Sequence, residues 1–464
     1  MKMRRRDLNL SLFSLAISSC IAPAADSSTG KADSKVGDLS SDDALQAWIS
    51  KSAATVRSID AADEDFGDLE PLIDAIGSAR VVQLGEPNHG AGTSFAAKVR
   101  LIKFLHRRMG FDVLVWESGF YDLELTQASM RAGEDAVAAA RRGIFTLWSN
   151  AEEVRPLFEY AKASQTTTSP LDMAGFDMQV TADGSMERFA TELRSFVGAM
   201  RNRALRARAS ELADQAVQAR GRVFSSMQAE DLESLRDAAD ALPNVIRNQR
   251  AAFEEVHGSR KSSFMEHAIE NMRTDAAIRY DAHRSAAPNV ERENRRDALN
   301  ASNLRWLIED GYPGRKIIVW AHNVHVMNAY YSSDWHTVHL EPQPTDMKPS
   351  GVFLAEWLKD DVYTIGMTTY QGQDGLATAD AASPIAPAED GSLESRLHRL
   401  GKLYVFLDVR SVRGSHKHPL HTPQSMRIPK YDNNTLPELT KAFDAVFYID
   451  HMAPATRIGG SKPA

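Results

Sequence analysis

In the stretch LGEPNHG, residues 84–90, a carboxylate (Glu86) and an imidazole (His89) stand three residues apart at the end of an apolar run. A histidine so placed can take a proton from water near neutral pH if a carboxylate fixes its tautomer. Glu117 closes a second apolar run, FDVLVWES (111–118), and is the other candidate to orient His89. AHNVH (321–325) adds His322 and His325. That pair could polarise a carbonyl and protonate a leaving group, or join Glu86, His89 and Glu117 as ligands of a divalent metal. A lone loop histidine is most often a solvated cap, and a bond to backbone is the ordinary reading of His325. What favours chemistry is the company these residues keep.

Other chemistries are poorly supplied. The chain has no G-x-S-x-G elbow, no H-E-x-x-H, no G-x-x-x-x-G-K-[ST] and no complete G-x-G-x-x-G, and its single cysteine is Cys20. A serine or cysteine acyl-enzyme of a familiar kind is therefore disfavoured. SHKHPLH (415–421) carries His416, His418 and His421 in a polar, turn-rich stretch, which reads as a solvated loop before it reads as a metal tract.

The elements that would position these groups are visible as short, almost continuously apolar runs: 79–86, 111–118, 171–177, 316–323, 362–370, 403–410 and 445–450. Such runs suit strands buried on both faces of a largely parallel sheet. Between the first two lies SFAAKVRLIKFLHRRMG, apolar at helical spacing and stopped by Gly110, which makes a strand–helix–strand unit. Residues from about 185 to 310 are polar, rich in Ala, Arg and Glu, and helical in period. The expectation is an α/β fold: a largely parallel central sheet flanked by helices, with a helical insertion or cap over about 185–310. Glu86, Glu117, Asp177 and His322 each stop an apolar run. In parallel strands they converge on the carboxyl edge of one sheet, where such folds bind ligands.

The chain begins with a basic MKMRRRD and a short apolar LNLSLFSLAI, the pattern of an export signal. Ile17-Ser18-Ser19-Cys20 resembles a lipoprotein cleavage box, so residues 1–19 are expected to be removed and Cys20 lipidated. Cleavage after Ala24, in Ala22-Pro23-Ala24, is the alternative. Residues 20–43, short of apolar side chains, are expected to form a tether, and 44–464 the α/β domain. The chain is thus expected at the periplasm-facing membrane, touching lipid only through its anchor, or else free in the periplasm or secreted. With 54 basic and 62 acidic residues its formal charge is −8, which argues against nucleic acid as a partner.

LGEPNHG with Lys98, then GFDVLVWES, FTLWSNAEEVRPLFEYA, GFDMQ, RRDALNASNLRWL, VWAHNVHV, AEDGSLESRL and FDAVFYID resemble the landmarks of the erythromycin esterase family, in order, across roughly residues 60–455. The resemblance implies a hydrolase that opens an ester, in the best-known members a macrolide lactone, by water activated at a histidine without a covalent intermediate. It implies His89 as the base, Glu86 and Glu117 as its supporting carboxylates, and His322 and His325 as the second imidazole pair. It places Lys98 and Arg296 where basic residues could steady an oxyanion, and Asp177 and Gln179 in the pocket lining. No cofactor or metal is expected on this reading, and the partner is a small-molecule ester or macrolide. Two rivals stand beside it: a metal-dependent hydrolase on the same side chains, and a non-catalytic envelope protein that binds a ligand there. The export signal is a departure, because macrolide resistance esterases are expected in the cytoplasm. Oligomeric state is not set by the sequence.

Overall fold

The computed structural model describes residues 41–459 apart from 181, 183–184, 223–228, 285–289, 333–336, 416 and 429. The expected signal peptide, Cys20 and nearly all of the tether lie outside the described residues, as does His416. A helix runs over Ser41–Ser52, which takes in the last three residues of the expected tether, 41–43.

The main sheet has nine strands: β1 (Ala54–Val56), β2 (Val81–Leu84), β3 (Phe111–Gly119), β4 (Asp172–Asp177), β5 (Lys316–Trp320), β6 (Val362–Asp374), β7 (Ser383–Ile385), β8 (Tyr404–Asp408) and β9 (Ala445–Met452). Their order is β1-β8-β9-β6-β2-β5-β3-β4, with β7 paired to β6. Along that path from β9 to β4 every pairing is parallel, while β7 runs antiparallel to the end of β6. β8 departs from the parallel expectation, running antiparallel to both β1 and β9. That placement at one side is the usual place for reversed strands in a sheet whose middle is buried on both faces.

Alternation within β3 shows how the two faces are filled. Leu114 and Trp116 point into one core, with Phe95, Ile102, Leu105 and Trp148, while Val113 and Val115 point into the other. The first core is covered by α1 (Gly92–Met109), which ends at Gly110 in the left-handed conformation (φ 72°), as its sequence predicts. The second is covered by helices of the insertion: α3 (Ser185–Gly198), α4 (Arg203–Arg222), α5 (Ala229–Arg247), α6 (Arg250–His257), α7 (Ser259–Arg284) and α8 (Val290–Trp306). Leu193, Leu212, Leu242, Met265 and Leu304 are their buried contacts. Each such side chain contributes about 1.5–3 kcal/mol of burial. A short α2 (Thr146–Ser149) brings Trp148 under the sheet edge, and a short α9 (Asn323–Val326) follows β5. Among the described residues no helix is long and apolar enough to cross a membrane.

Candidate active site

One row of register explains why the expected residues meet. Leu84 pairs with Trp320, Trp320 with Trp116 and Trp116 with Gly175, so four parallel strands are level at that row. Glu86, His322, Glu117 and Asp177 all lie one or two residues beyond it. The register of β3 against β4 shifts between Trp116 and Gly119, an irregularity that spans Glu117 and Ser118. Below the row, the Trp116 and Trp320 rings stack at 4.6 Å, forming a rigid floor.

Glu86 is fully buried and shares its oxygens among three donors. Oε1 lies 2.9 Å from His89 Nδ1 and accepts the indole N–H of Trp148 at 3.0 Å. Oε2 accepts Lys98 Nζ at 2.7 Å. With Nδ1 of His89 committed to a carboxylate, its proton belongs there and Nε2 is left as the acceptor. The His89 side chain is 19% exposed, so that nitrogen can meet water or substrate.

His322 is nearly buried, its ring centroid 5.1 Å from that of His89. It caps α9: Nδ1 accepts the backbone N–H of Val324 at 3.1 Å, which leaves Nε2–H as the donor of the neutral ring. Burial first, then the neighbouring His89, push its pKa well below the ordinary histidine value, so it stays neutral. His325 is the opposite case. Nδ1 lies 2.9 Å from Asp297 Oδ1 and Nε2 3.3 Å from Glu117 Oε1. Burial opposes its charge, yet Asp297 and Glu117 raise its pKa well above normal, making it a cation between two anions. Glu117 also accepts the backbone N–H of His322 at 2.8 Å. Its carboxyl is held below the usual range: burial works against this, and the charge and hydrogen bond of His325, with the charge of Arg296, prevail.

Of the expected residues, the strand ends bring together Glu86, His89, Glu117, Asp177, His322 and His325. Arg296 joins them from α8, ion-paired to Asp177 and 3.9 Å from Glu117. Asp177 also accepts the backbone N–H of Gln179 at 2.9 Å, and Gln179 is half-buried beside it. Two expectations change. β5 ends at Trp320, so His322 is a helix cap rather than a strand end. Lys98 is fully buried behind Glu86, its ammonium bonded to Glu86 and the Ala321 carbonyl and 4.5 Å over the Trp320 ring. Burial brings its pKa down to about 8 against the pull of Glu86, and nothing turns it towards a substrate. Gly90 and Gly92 admit backbone, not ligand: a Cβ on Gly90 would stand 2.7 Å from the Gly375 carbonyl carbon, and one on Gly92 2.5 Å from the Pro454 oxygen.

Several site residues were missed from sequence: Trp148, Asp297, Ser350, Asn88 and Asp374. Ser350 Oγ lies 3.1 Å from Asp297 Oδ1 and 2.9 Å from the His325 carbonyl, closing the cage around that imidazole. Trp148 and Asp297 stand inside FTLWSN and RRDALN, so a signal was there; Asp374 had none. Among the described residues no three His, Cys, Asp or Glu side chains are grouped to hold a metal ion. The SHKHPLH stretch spends His421 on Glu438 and packs His418 on Trp48. A separate cavity of about 290 Å³ opens by Arg131, Arg260 and Tyr312 at the amino end of β4, the opposite edge, where Asp172 is already taken by Gln127, Arg131 and Arg315.

Comparison with known proteins agrees with the fold. The profile of the family described as Erythromycin esterase matches residues 106–452. YbfO of Bacillus subtilis (strain 168), named as a hydrolase, is 28% identical over 431 residues, covering 89% of this chain and 92% of its own. Erythromycin esterase type II of Escherichia coli is 21% identical over 417 residues, covering 84% and 93%. In structure, a mutant of the erythromycin esterase EreC in its open conformation superposes with a TM-score of 0.63 at 18% identity, covering 87% of this chain and 98% of that one.

Proposed function

From the premise that the chain belongs to the erythromycin esterase family, we propose that it hydrolyses an ester or lactone with water activated at His89. Family membership supports hydrolase activity; the bond cleaved and the identity of the base are the reading offered here. The observation that carries it is the division of nitrogens. His89 keeps Nε2 free because Glu86 holds Nδ1, while the neutral His322 beside it keeps an N–H to donate.

In this reaction His89 Nε2 takes a proton from water as the water oxygen bonds to the ester carbonyl carbon. The carbonyl oxygen becomes an oxyanion, which the Nε2–H of His322 and the Arg296 guanidinium can stabilise. Collapse breaks the acyl C–O bond. The leaving alkoxide takes a proton from the His89 imidazolium, which restores the base and releases a carboxylic acid and an alcohol. In a lactone both groups stay on one opened molecule. Lys98 and Trp148 act through Glu86, and His325 acts through Glu117.

A macrolide such as erythromycin is the leading substrate, supported by the name of the Escherichia coli relative. Export with lipidation at Cys20 would put the activity at the cell envelope. The test is mass spectrometry of macrolides of two ring sizes and simple aryl esters, incubated with the chain from residue 21 onward, with and without EDTA. His89→Ala runs alongside. The expected result is the addition of one water, insensitive to EDTA and lost in the variant. Activity abolished by EDTA would move the reading to a metal-dependent hydrolase. No product from any ester would remove hydrolysis and leave envelope ligand binding.

A further inference from the structure

The loop that carries His89 is gripped from a part of the chain far away in sequence. Asn88 Oδ1 accepts the backbone N–H of His89 at 3.0 Å, and Asn88 Nδ2 donates to Asp374 Oδ2 at 2.5 Å. The other oxygen of Asp374 accepts the Tyr431 hydroxyl at 3.0 Å. Asp374 is the last residue of β6, which runs on past Ile365, where its pairing with β2 ends. The residue after it continues the grip. The Gly90 carbonyl accepts N–H groups from Ala455 at 2.9 Å and, more loosely, Gly375 at 3.4 Å. These contacts make Asn88 a bridge between a half-buried carboxylate and the backbone of the base.

We propose that Asp374, supported by Tyr431, positions His89 through Asn88, as a second brace independent of the Glu86 hydrogen bond. Glu86 fixes the ring and its tautomer; Asp374 fixes where the loop puts that ring. A bond to the ring alone leaves the loop free to carry ring and water out of line with the carbonyl. A displacement of about 1 Å in such a geometry can cost about a hundredfold in rate. Burial raises the pKa of Asp374 against the hydrogen bonds from Tyr431 and Asn88, so the group is kept there at a cost in stability. A carboxylate retained on those terms, with both oxygens committed to one loop and one hydroxyl, is doing more than facing solvent.

This role rests on His89 being the base, so the test needs a readout that survives the failure of that reading. Histidine labelled with ¹⁵N supplies it: the Nδ1 proton shared with Glu86 gives an imidazole resonance, assigned by its loss in His89→Gln. In Asp374→Ala that resonance should broaden or vanish as the loop opens to water, while the melting curve stays cooperative. Asp374→Asn can still accept from Asn88 through its amide oxygen and donate its amide N–H to the Tyr431 hydroxyl, which turns to accept, so it should keep the resonance. Tyr431→Phe should weaken it only in part. On whichever ester proves to be hydrolysed, Asp374→Ala should lower kcat about 10- to 100-fold with KM within about threefold, and Asp374→Asn should recover most of the rate. An unchanged resonance in a folded Asp374→Ala would overturn the brace. So would an Asp374→Asn variant as impaired as the alanine. If no ester is turned over, the resonances still decide the brace, and only the esterase reading falls.

Discussion

The exits of β2 and β5 both deliver histidines to the same edge of the same sheet, yet they leave those histidines with opposite equipment. The β2 loop leaves His89 partly exposed, with one ring nitrogen on Glu86 and the other open. The β5 exit buries its pair. His322 is kept neutral by burial and turned by the Val324 N–H; His325 is kept cationic between Asp297 and Glu117. Residue type does not assign these roles. Partners do: Glu86 of its own loop for His89, the Val324 N–H of α9 for His322, and Asp297 from α8 with Glu117 from β3 for His325.

The comparison can be broken first on the β2 side. Lys98→Met leaves the fully buried Glu86 without its counter-charge, a loss of about 3–5 kcal/mol in unfolding free energy, read by urea melts. The wild-type lysine should also mark the alkaline side of activity. With its pKa at about 8, it sheds its proton as pH rises through that value, the Glu86 charge loses its partner, and turnover declines. Lys98→Arg should move that decline upward.

A smaller break lies on the β5 side. His325→Gln removes a buried cation from between two carboxylates and should cost about 3 kcal/mol at pH 6. Because the folded pKa of His325 is raised, its contribution is fully present below the unfolded value of about 6.5 and is lost as pH rises through the folded value. The stability gap between wild type and variant should therefore narrow with rising pH, in melts taken from pH 6 upward. Smallest is Trp148→Phe, which removes one of three donors to Glu86 but keeps the ring edge-on to His89. It should cost about 1–2 kcal/mol and about tenfold in turnover. Trp116→Phe serves as its control, because the Trp116 indole N–H has no hydrogen-bond partner among the described residues.

How far the sequence reached follows from what each residue type signals locally. Glu86, Glu117, Asp177 and His322 were legible because each interrupts an apolar run, and parallel strands in register turn four interruptions into one edge. The helical insertion was legible from its period. The direction of Lys98 was not: a lysine on an amphipathic helix reads as reaching outward, and only Glu86 and Trp320, brought from other strands, turn it inward. The full length of β6 was hidden too. Its last residues, QGQD, are polar, so nothing local announced that the strand continues to Asp374 and meets the His89 loop. The reversal of β8 depends on the path of the chain between 409 and 444, which no strand-level pattern encodes.

The most direct test of the central claim, that one sheet edge holds three imidazoles in three proton states, is ¹⁵N NMR of histidine-labelled protein at pH 7. The account predicts His89 with its proton on Nδ1, His322 neutral with its proton on Nε2, and His325 protonated on both nitrogens. A cationic His322, or a neutral His325, would contradict it.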